Sequence, residues 1–319
     1  MAGLLLLPFA APNVPTVPTV PLLQGVLPGA KVMMPVIAAG TGGYKGSNAT
    51  DAVRRAFTMG FNHVHTAFDY FNLKEIGVAL KEVPRAQYFL SGMTSPCSHP
   101  AAPPQRNVTD PKACRNLTMH EARSVMNDLG VDSLDLLMLH GPSEGFGHVG
   151  PCSKLACELN RAQWSAYKAL LQQGSVRAIG VSNFCASCLA CLDDVPAVNQ
   201  IQVHVGQGSA DPGPGLLSYC ASRGVVVQAY EPLAGGELVT DPACHSIGAA
   251  HQKTAAQVAL RWVLQRAPSL AVRAGSSAHL AQDLALFDFT LNSSELARLD
   301  AQKGPSGEAG GRCSWGCTE

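Results

Sequence analysis

The sequence is poor in charge and has no excess of either sign. Only 14% of its 319 residues are charged, and 23 basic residues balance 23 acidic ones, so the formal net charge is zero. A neutral chain without a run of basic residues has no field that would attract nucleic acid or an anionic membrane surface. No apolar run reaches the ~18 residues that a membrane-spanning helix needs. The sequence therefore predicts neither a nucleic-acid partner nor a membrane partner.

The N-terminus is ambiguous between a short signal h-region and a disordered leader. Residues 4–11 are apolar, but no basic segment precedes them, and a proline follows the small residues where cleavage would fall. We expect a disordered leader over residues 1–19 and a flexible tail containing glycine and cysteine over residues 304–319. The 46% hydrophobic content of the chain is enough for one large core, so residues 20–303 are expected to form one domain.

Cysteine, by contrast, is abundant, and the chain contains four N-glycosylation sequons. There are 11 cysteines, and the sequons begin at Asn48, Asn107, Asn116 and Asn292. Both features fit an oxidising, secretory setting. Cysteine also serves as a small apolar residue, and sequons arise by chance. The sequence favours the cytoplasm and leaves the secretory pathway as the alternative.

The spacing of the cysteines predicts disulfides if the compartment is oxidising and buried core positions if it is the cytoplasm. Three pairs are candidate disulfides if the compartment oxidises: Cys97 with Cys114, Cys152 with Cys157, and Cys313 with Cys317. The segment from Cys185 through Cys188 to Cys191 has steps of three, which keep the thiols along one side of a helix with little room to converge on a metal. We expect a buried helix face at residues 185–192 and no metal site.

A Gly-x-Gly-x-x-Gly turn after the first strand is absent, which counts against a doubly wound open sheet, the alternative fold. Eight short strands that are apolar on both faces alternate with helical patterns, as in a parallel sheet covered by helices. These strands are expected at residues 36–39, 63–66, 87–91, 134–140, 176–181, 200–204, 225–229 and 270–273. The pattern predicts an α/β fold, a (β/α)8 TIM barrel with an N-terminal β-hairpin at residues 20–25 and 31–34. A capping box from Thr118 to Glu121 predicts that one helix starts at residue 119.

Residues 60–77, read as Gly-Phe-Asn-His-Val-His-Thr-Ala-Phe-Asp-Tyr-Phe-Asn-Leu-Lys-Glu-Ile-Gly, lie at the end of the second barrel strand. They resemble the aldo-keto reductase motif Gly-Phe-x-His-Ile-Asp-Thr-Ala-x-x-Tyr-x-Asn-Glu-x-x-Val-Gly. The resemblance places Tyr70 on the family's proton-donating tyrosine and His65 where the family has an aspartate. It covers the chain from about residue 20 to residue 300.

Further motifs extend this resemblance along the chain. Leu134-Asp135-Leu136-Leu137-Met138-Leu139-His140-Gly141-Pro142 resembles Leu-Asp-Leu-x-Leu-Ile-His-x-Pro and places His140 on the family's catalytic histidine. The segment Ile-Gly-Val-Ser-Asn-Phe at residues 179–184 is a strong short signature of the family. Taken singly, a histidine closing an apolar strand is more often a core residue, and Ser-Asn after a strand is commonly a helix cap.

The resemblance implies a nicotinamide cofactor, NADPH with NADH as the alternative. The residues expected to contact it are Gly40, Thr41, Ser182, Asn183, Gln200, Tyr230, Leu233, Arg273 and His279. In the family's 2′-phosphate clamp, Arg273 and His279 stand on basic positions and Ala274 on a serine. Asp283 stands where the family has an asparagine, which leaves the choice between NADPH and NADH open because a carboxylate repels a phosphate.

The family's lysine and its aspartate are both replaced. Alignment of residues 85–93 with the family motif places Met93 on the lysine that tunes the tyrosine, and Met cannot relay a proton. Replacing both members of a buried ion pair can be neutral for stability, whereas losing one costs about 3–5 kcal/mol. We expect His65 and His140 to flank Tyr70 instead, with His65 as a cation near neutral pH.

These observations predict an NAD(P)H-dependent oxidoreductase that reduces a small aldehyde or ketone slowly. The alternatives are a barrel that no longer catalyses and serves as a nucleotide-binding or scaffolding protein, and a secreted, disulfide-stapled binding module. The sequence does not identify the carbonyl substrate or the oligomeric state.

Overall fold

The structure of the protein is a computed structural model that describes residues 17–99, 106–143, 151–207, 212–273 and 275–302. Its strands are β1 (Thr19–Leu22), β2 (Val32–Pro35), β3 (Ile37–Gly40), β4 (His63–His65), β5 (Phe89–Thr94), β6 (Ser98–His99), β7 (Arg106–Asn107), β8 (Leu134–Leu139), β9 (Val176–Ser182), β10 (Val198–Gln202), β11 (Val226–Tyr230) and β12 (Ser269–Arg273). Its α-helices are α1 (Ser47–Met59), α2 (Leu73–Leu80), α3 (Pro111–Leu129), α4 (Lys154–Gln172), α5 (Ala186–Leu189), α6 (Pro212–Ser222), α7 (Pro242–His251), α8 (Ala255–Arg266), α9 (Ser277–Leu284) and α10 (Ser293–Asp300).

Eight of the strands close into a parallel barrel in the order β3, β4, β5, β8, β9, β10, β11, β12. The last strand pairs with the first, with Leu270 opposite Ile37 and Arg273 opposite Gly40. The predicted (β/α)8 barrel is confirmed, and the alternative of an open sheet is wrong because this sheet has no free edge. All carboxyl ends of the strands lie at one rim, where a barrel of this kind places its site.

The predicted N-terminal hairpin is also confirmed. Strands β1 and β2 pair antiparallel, with Leu22 opposite Val32. Leu22 and Met34 are buried in one apolar cluster with Ala197 and Val226 from the starts of two barrel strands. Val17 is 5% exposed, so the ordered fold begins before residue 20, within the segment expected to be a leader. Among the described residues, no helix has the length and apolar character to cross a membrane.

Helix α3 begins earlier than the sequence analysis predicts. Asp110 caps it by accepting a hydrogen bond from the Ala113 backbone N–H at 2.7 Å, and Pro111 occupies the first helical position. The predicted capping box is therefore wrong: Thr118 lies inside the helix and donates to the Cys114 carbonyl at 3.0 Å. Glu121 forms an ion pair with Arg106 instead.

The cysteines pair differently from two of the three candidate disulfides. Cys97 and Cys114 form the predicted disulfide, with Cα atoms 5.4 Å apart. Cys152 and Cys157 do not bond to each other, because each bonds across to the segment after β9, to Cys188 and Cys191 respectively. The predicted helix at 185–192 is reduced to the short α5, and its cysteines are buried as expected. Cys313 and Cys317 lie outside the described residues.

A buried carboxylate near the start of β8 holds three neighbouring strands together. Asp135 is 2% exposed, and its oxygens accept hydrogen bonds from the guanidinium groups of Arg85 and Arg177, each at 2.6 Å. It also accepts from the Leu90 backbone N–H in β5 at 2.8 Å. Because Arg177 belongs to β9, this group links β5, β8 and β9, which carry Met93, His140 and Ser182 to the rim.

We predict that Asp135→Asn lowers the free energy of unfolding by about 1.5–3 kcal/mol, because charge-assisted hydrogen bonds to two arginines are lost. The arginine side chains are 34% and 50% exposed, so solvent recovers part of the cost. Urea unfolding at pH 7 measures the change. Asp132→Asn is the matched control, since Asp132 is exposed and should change stability by less than about 0.5 kcal/mol. Equal changes in the free energy of unfolding for Asp135→Asn and Asp132→Asn would contradict the role of Asp135 in holding the three strands together.

Candidate active site

Tyr70 and His140 lie together at the carboxyl-terminal rim of the barrel. Tyr70 closes a 3₁₀ turn, Phe68–Tyr70, just after β4, and His140 directly follows β8. Their ring centroids are 5.6 Å apart, with the planes at 80°. Gly42 makes room for this arrangement, because a Cβ atom there would stand 3.3 Å from Cζ of Tyr70. The two side chains are therefore close enough to approach one oxygen atom from adjacent sides.

Asp69 is a site residue that the sequence analysis missed. Both of its carboxylate oxygens lie 2.8 Å from Nδ1 of His140, so the ring N–H donates to the carboxylate and the ring orientation is fixed. Successive residues in a 3₁₀ turn point about 120° apart, which directs Asp69 and Tyr70 to different neighbours. The sequence indicates this role of Asp69 only by placing an acidic residue immediately before the tyrosine.

Tyr70 is held as a neutral phenol. Burial raises its pKa far above the ordinary value near 10, and the negative charges of Asp69 and Glu231 raise it further. Met93 is fully buried and belongs to the apolar cluster that Tyr70 borders. Lys45 donates a hydrogen bond to the backbone carbonyl of Tyr70 at 3.0 Å, which leaves the hydroxyl untouched by this cation.

His65 flanks Tyr70 as expected, but not as a cation. The two ring centroids are 6.4 Å apart, with the planes at 87°. Burial lowers the pKa of His65 to about 3, and the neighbouring His63 and His140 add to the effect. The lowered pKa counts against the hypothesis that His65 supplies a positive charge near neutral pH, because burial of a ring that is 3% exposed disfavours its charged form.

His65 belongs to a chain of neutral polar side chains that crosses the interior of the barrel. Its Nδ1 lies 3.1 Å from Oγ of Ser91, and its Nε2 lies 3.4 Å from the amide nitrogen of Gln200. In order, the chain consists of the Pro35 carbonyl, His63, Ser91, His65, Gln200, Gln228 and Ser269. All its side chains are buried, so the interior that carried an ion pair in the family motif is satisfied here by neutral hydrogen bonds.

Ser182, Asn183, Gln200 and Tyr230 form a connected group in and just after β9, β10 and β11, next to β8 and His140. Asn183 adopts a positive φ of 60°, and its side chain donates to the His140 carbonyl at 2.9 Å. The Tyr230 hydroxyl donates to Oδ1 of Asn183 at 2.8 Å, and Ser182 donates to the Gln200 carbonyl at 2.8 Å. The predicted carboxamide-binding residues are thus brought together and linked to the backbone of His140.

Gly40, Thr41 and Leu233 occupy rim positions as well. Gly40 ends β3 opposite Arg273 and His65 in the neighbouring strands. The Thr41 hydroxyl donates to the His65 carbonyl at 3.0 Å, so this side chain holds the rim and does not face solvent. Leu233 is half-buried against the main core.

The expected phosphate-binding end has two exposed basic side chains. Arg273 ends β12 with its guanidinium 4.8 Å from the centre of the Tyr44 ring, and His279 lies exposed in the first turn of α9. Asp283 is buried on the inner side of α9 with a pKa raised to about 7 by burial. Ala274 lies outside the described residues.

Comparison with known proteins agrees with this geometry. The family described as "Aldo/keto reductase family" matches residues 36–303. The chain belongs to the aldo-keto reductase family. An aldo-keto reductase of Mycolicibacterium vanbaalenii is 31% identical over 276 residues, covering 84% of this chain and 88% of that protein. Aldose reductase B of Dictyostelium discoideum is 29% identical over 295 residues, covering 84% and 88%.

Solved structures give the same fold. An aldo-keto reductase from a Medee basin deep-sea metagenome library has a TM-score of 0.70 at 26% identity, covering 88% of this chain and 93% of that chain. A Bombyx mori aldo-keto reductase in complex with NADP has a TM-score of 0.71 at 22% identity, covering 93% and 94%. Aldo-keto reductases are NADPH-dependent oxidoreductases, and this member is assigned to the same class.

The buried Asp283 makes a prediction about stability and pH. Its pKa is about 7 in the folded chain against 3.8 when exposed, so the folded state holds its proton more tightly. Stability is therefore lost as pH rises through the window from about 4 to 7, and the full cost remains above it. Asp283→Asn should remove this cost and raise the unfolding free energy at pH 8 by roughly 2–4 kcal/mol, with little change at pH 4.5.

Urea unfolding of the two proteins at both pH values checks this expectation. Asp132→Asn serves again as the control, because an exposed carboxyl should show no difference between the two pH values. A stabilisation that is the same at pH 4.5 and pH 8 would trace the gain to packing and not to the buried carboxyl.

Proposed function

We propose that this aldo-keto reductase uses NADPH to reduce a small aldehyde or ketone, with Tyr70 donating the proton and His140 orienting the carbonyl oxygen. The observation that carries the proposal is the convergence of these two side chains at one rim, 5.6 Å apart between ring centroids. The neutral phenol that burial maintains at Tyr70 is the protonation state that a proton donor needs.

The residues at the rim fit a nicotinamide cofactor. Ser182 and Asn183 present amide and hydroxyl groups beside Tyr230, and Arg273 places a positive charge at the opposite end near Tyr44. When bound, NADPH supplies the hydride. Ser182, Asn183 and Gln200 would hold the carboxamide, Tyr230 would lie against the ring, and Arg273 with His279 would contact the 2′-phosphate.

The chain's own residues then handle the oxygen. His140 is held by Asp69, whose carboxylate accepts a hydrogen bond from Nδ1–H, and the oriented imidazole would position the carbonyl oxygen. Tyr70 gives up its proton as the oxygen becomes an alkoxide. The pKa of the Tyr70 phenol is raised, and no lysine occupies residue 93 to lower it as in the family. We therefore infer that proton transfer from Tyr70 is slower and the rate of reduction attenuated.

Non-catalytic nucleotide binding is the competing proposal. The raised pKa of Tyr70 and the buried thioether of Met93 favour it, while the connected group around Asn183 supports cofactor binding in either case. NADPH oxidation with a panel of aldehydes and ketones separates the two proposals. Quenching of tryptophan fluorescence by NADPH without any turnover across the panel would favour the non-catalytic barrel.

Tyr70→Phe should lower kcat by about 10²-fold, because the proton donor is removed, while NADPH still quenches fluorescence at the same concentrations. Tyr219→Phe is the matched control, since Tyr219 lies on α6 away from the rim, and it should retain full activity. Steady-state NADPH oxidation and fluorescence titration provide the two measurements. Retention of full activity in Tyr70→Phe would rule out the phenol as donor.

Asp69→Asn should lower kcat/KM by about tenfold, because an amide accepts a weaker hydrogen bond from Nδ1–H of His140 than a carboxylate does and orients the ring less firmly. Steady-state NADPH oxidation measures the change. Glu75→Gln is the control, because Glu75 lies in the first turn of α2 and should leave kcat/KM unchanged. An unchanged kcat/KM in Asp69→Asn would rule out this role for Asp69.

A further inference from the structure

The three disulfides all lie on the face of the barrel that carries Tyr70 and His140. Cys97 follows the carboxyl end of β5 and bonds to Cys114 in the first turn of α3. The other two disulfides join the start of α4, which follows β8, to the segment that follows β9. These are the segments that continue from Thr94, His140 and Ser182. The disulfides therefore join described segments that follow β5, β8 and β9 at this rim.

The six cysteines lie at separations that allow disulfides. The Cα separations are 5.4, 5.1 and 5.1 Å, within the range in which cysteines bond. The remaining cysteines of the described residues, Cys185, Cys220 and Cys244, are buried without a disulfide. The use of cysteine as a small apolar residue accounts for these three, but it does not account for six cysteines meeting in three pairs. Pairs of this kind form and persist in oxidising compartments.

The sequons provide an independent observation. All four sequon asparagines, Asn48, Asn107, Asn116 and Asn292, are exposed in the folded chain. Asn107 lies in β7 and Asn116 in α3, before and after Cys114 in the sequence. The Cys97–Cys114 disulfide joins the segment after β5 to the same helix. Both amide groups can therefore carry a bulky group without displacing packed side chains.

We propose that this aldo-keto reductase matures in the secretory pathway, with three disulfides stapling its site face and N-linked glycans on Asn107 and Asn116. Each disulfide forms when two thiols lose two protons and two electrons to a protein disulfide, which is reduced to a dithiol. Each glycan forms when the amide nitrogen, losing a proton, bonds to the anomeric carbon of a pyrophosphate-linked oligosaccharide and the lipid pyrophosphate leaves. The proposal does not depend on the reductase activity.

Expression of the full chain in eukaryotic cells tests the proposal. We expect glycosidase treatment to increase the electrophoretic mobility of the chain. Asn107→Gln and Asn116→Gln should each reduce this shift by the contribution of one glycan. Asn127→Gln, an exposed position on the same helix outside any sequon, should leave mobility unchanged. A chain that carries no glycan at either site would overturn this half of the proposal.

Peptide mapping after alkylation in denaturant without reductant tests the other half. Cys97, Cys114, Cys152, Cys157, Cys188 and Cys191 should escape alkylation until they are reduced, and Cys185, Cys220 and Cys244 should react. The Sγ atoms of Cys152, Cys157 and Cys191 lie within 4.8 Å of one another, a group that could hold a metal ion. Alkylation of all nine cysteines, or stoichiometric zinc released together with these thiols, would overturn the disulfides.

Discussion

The pairing of β12 with β3 is the constraint on which the site depends. Four consecutive residues of each strand lie opposite one another, from Leu270 and Ile37 to Arg273 and Gly40. Because every barrel strand is parallel, this closure brings residues from distant parts of the sequence to one rim, including Tyr70, which follows β4, and His140, which follows β8. A sheet left open at this point would separate Arg273 from Gly40 and from the strands that lead to Tyr70 and His140.

The interior of the barrel explains how the chain tolerates the loss of the family's ion pair. A buried charge without its partner is costly, but a neutral side chain needs only hydrogen bonds. His65 meets this need through Ser91 and Gln200, and Met93 fills the lysine position with apolar volume. The low pKa of His65 is a consequence of the same burial, so the ring stays neutral and the interior carries no unpaired charge at this point.

The fold could be predicted because strand and helix periods are local properties of the sequence, and the order of strands then follows from the short connections. The rim position of Tyr70 and His140 was accessible to the same reasoning, since each lies just after a strand of a parallel barrel. Asp69 was not, because its direction depends on the rotation of one 3₁₀ turn and not on its distance along the chain. The partners of Cys152 and Cys157 were inaccessible for a related reason, since two loops from different strands must meet before the pairing is decided.

The acidic group beside the tyrosine, Asp69, lies at a different place in the barrel from the aspartate of the family motif. In the family motif the aspartate belongs to the strand and supports a lysine inside the barrel, whereas Asp69 lies in the turn above β4 and pairs with His140 at the rim. Its side chain is 10% exposed, so water and Nδ1 of His140 share the solvation of the carboxylate. A carboxylate at the rim imposes a smaller desolvation cost on folding than one enclosed in the interior. The same negative charge raises the pKa of Tyr70, so the arrangement that orients His140 also makes the phenol a weaker acid. The proposed reductase chemistry therefore depends more on positioning of the oxygen by His140 than on an activated tyrosine.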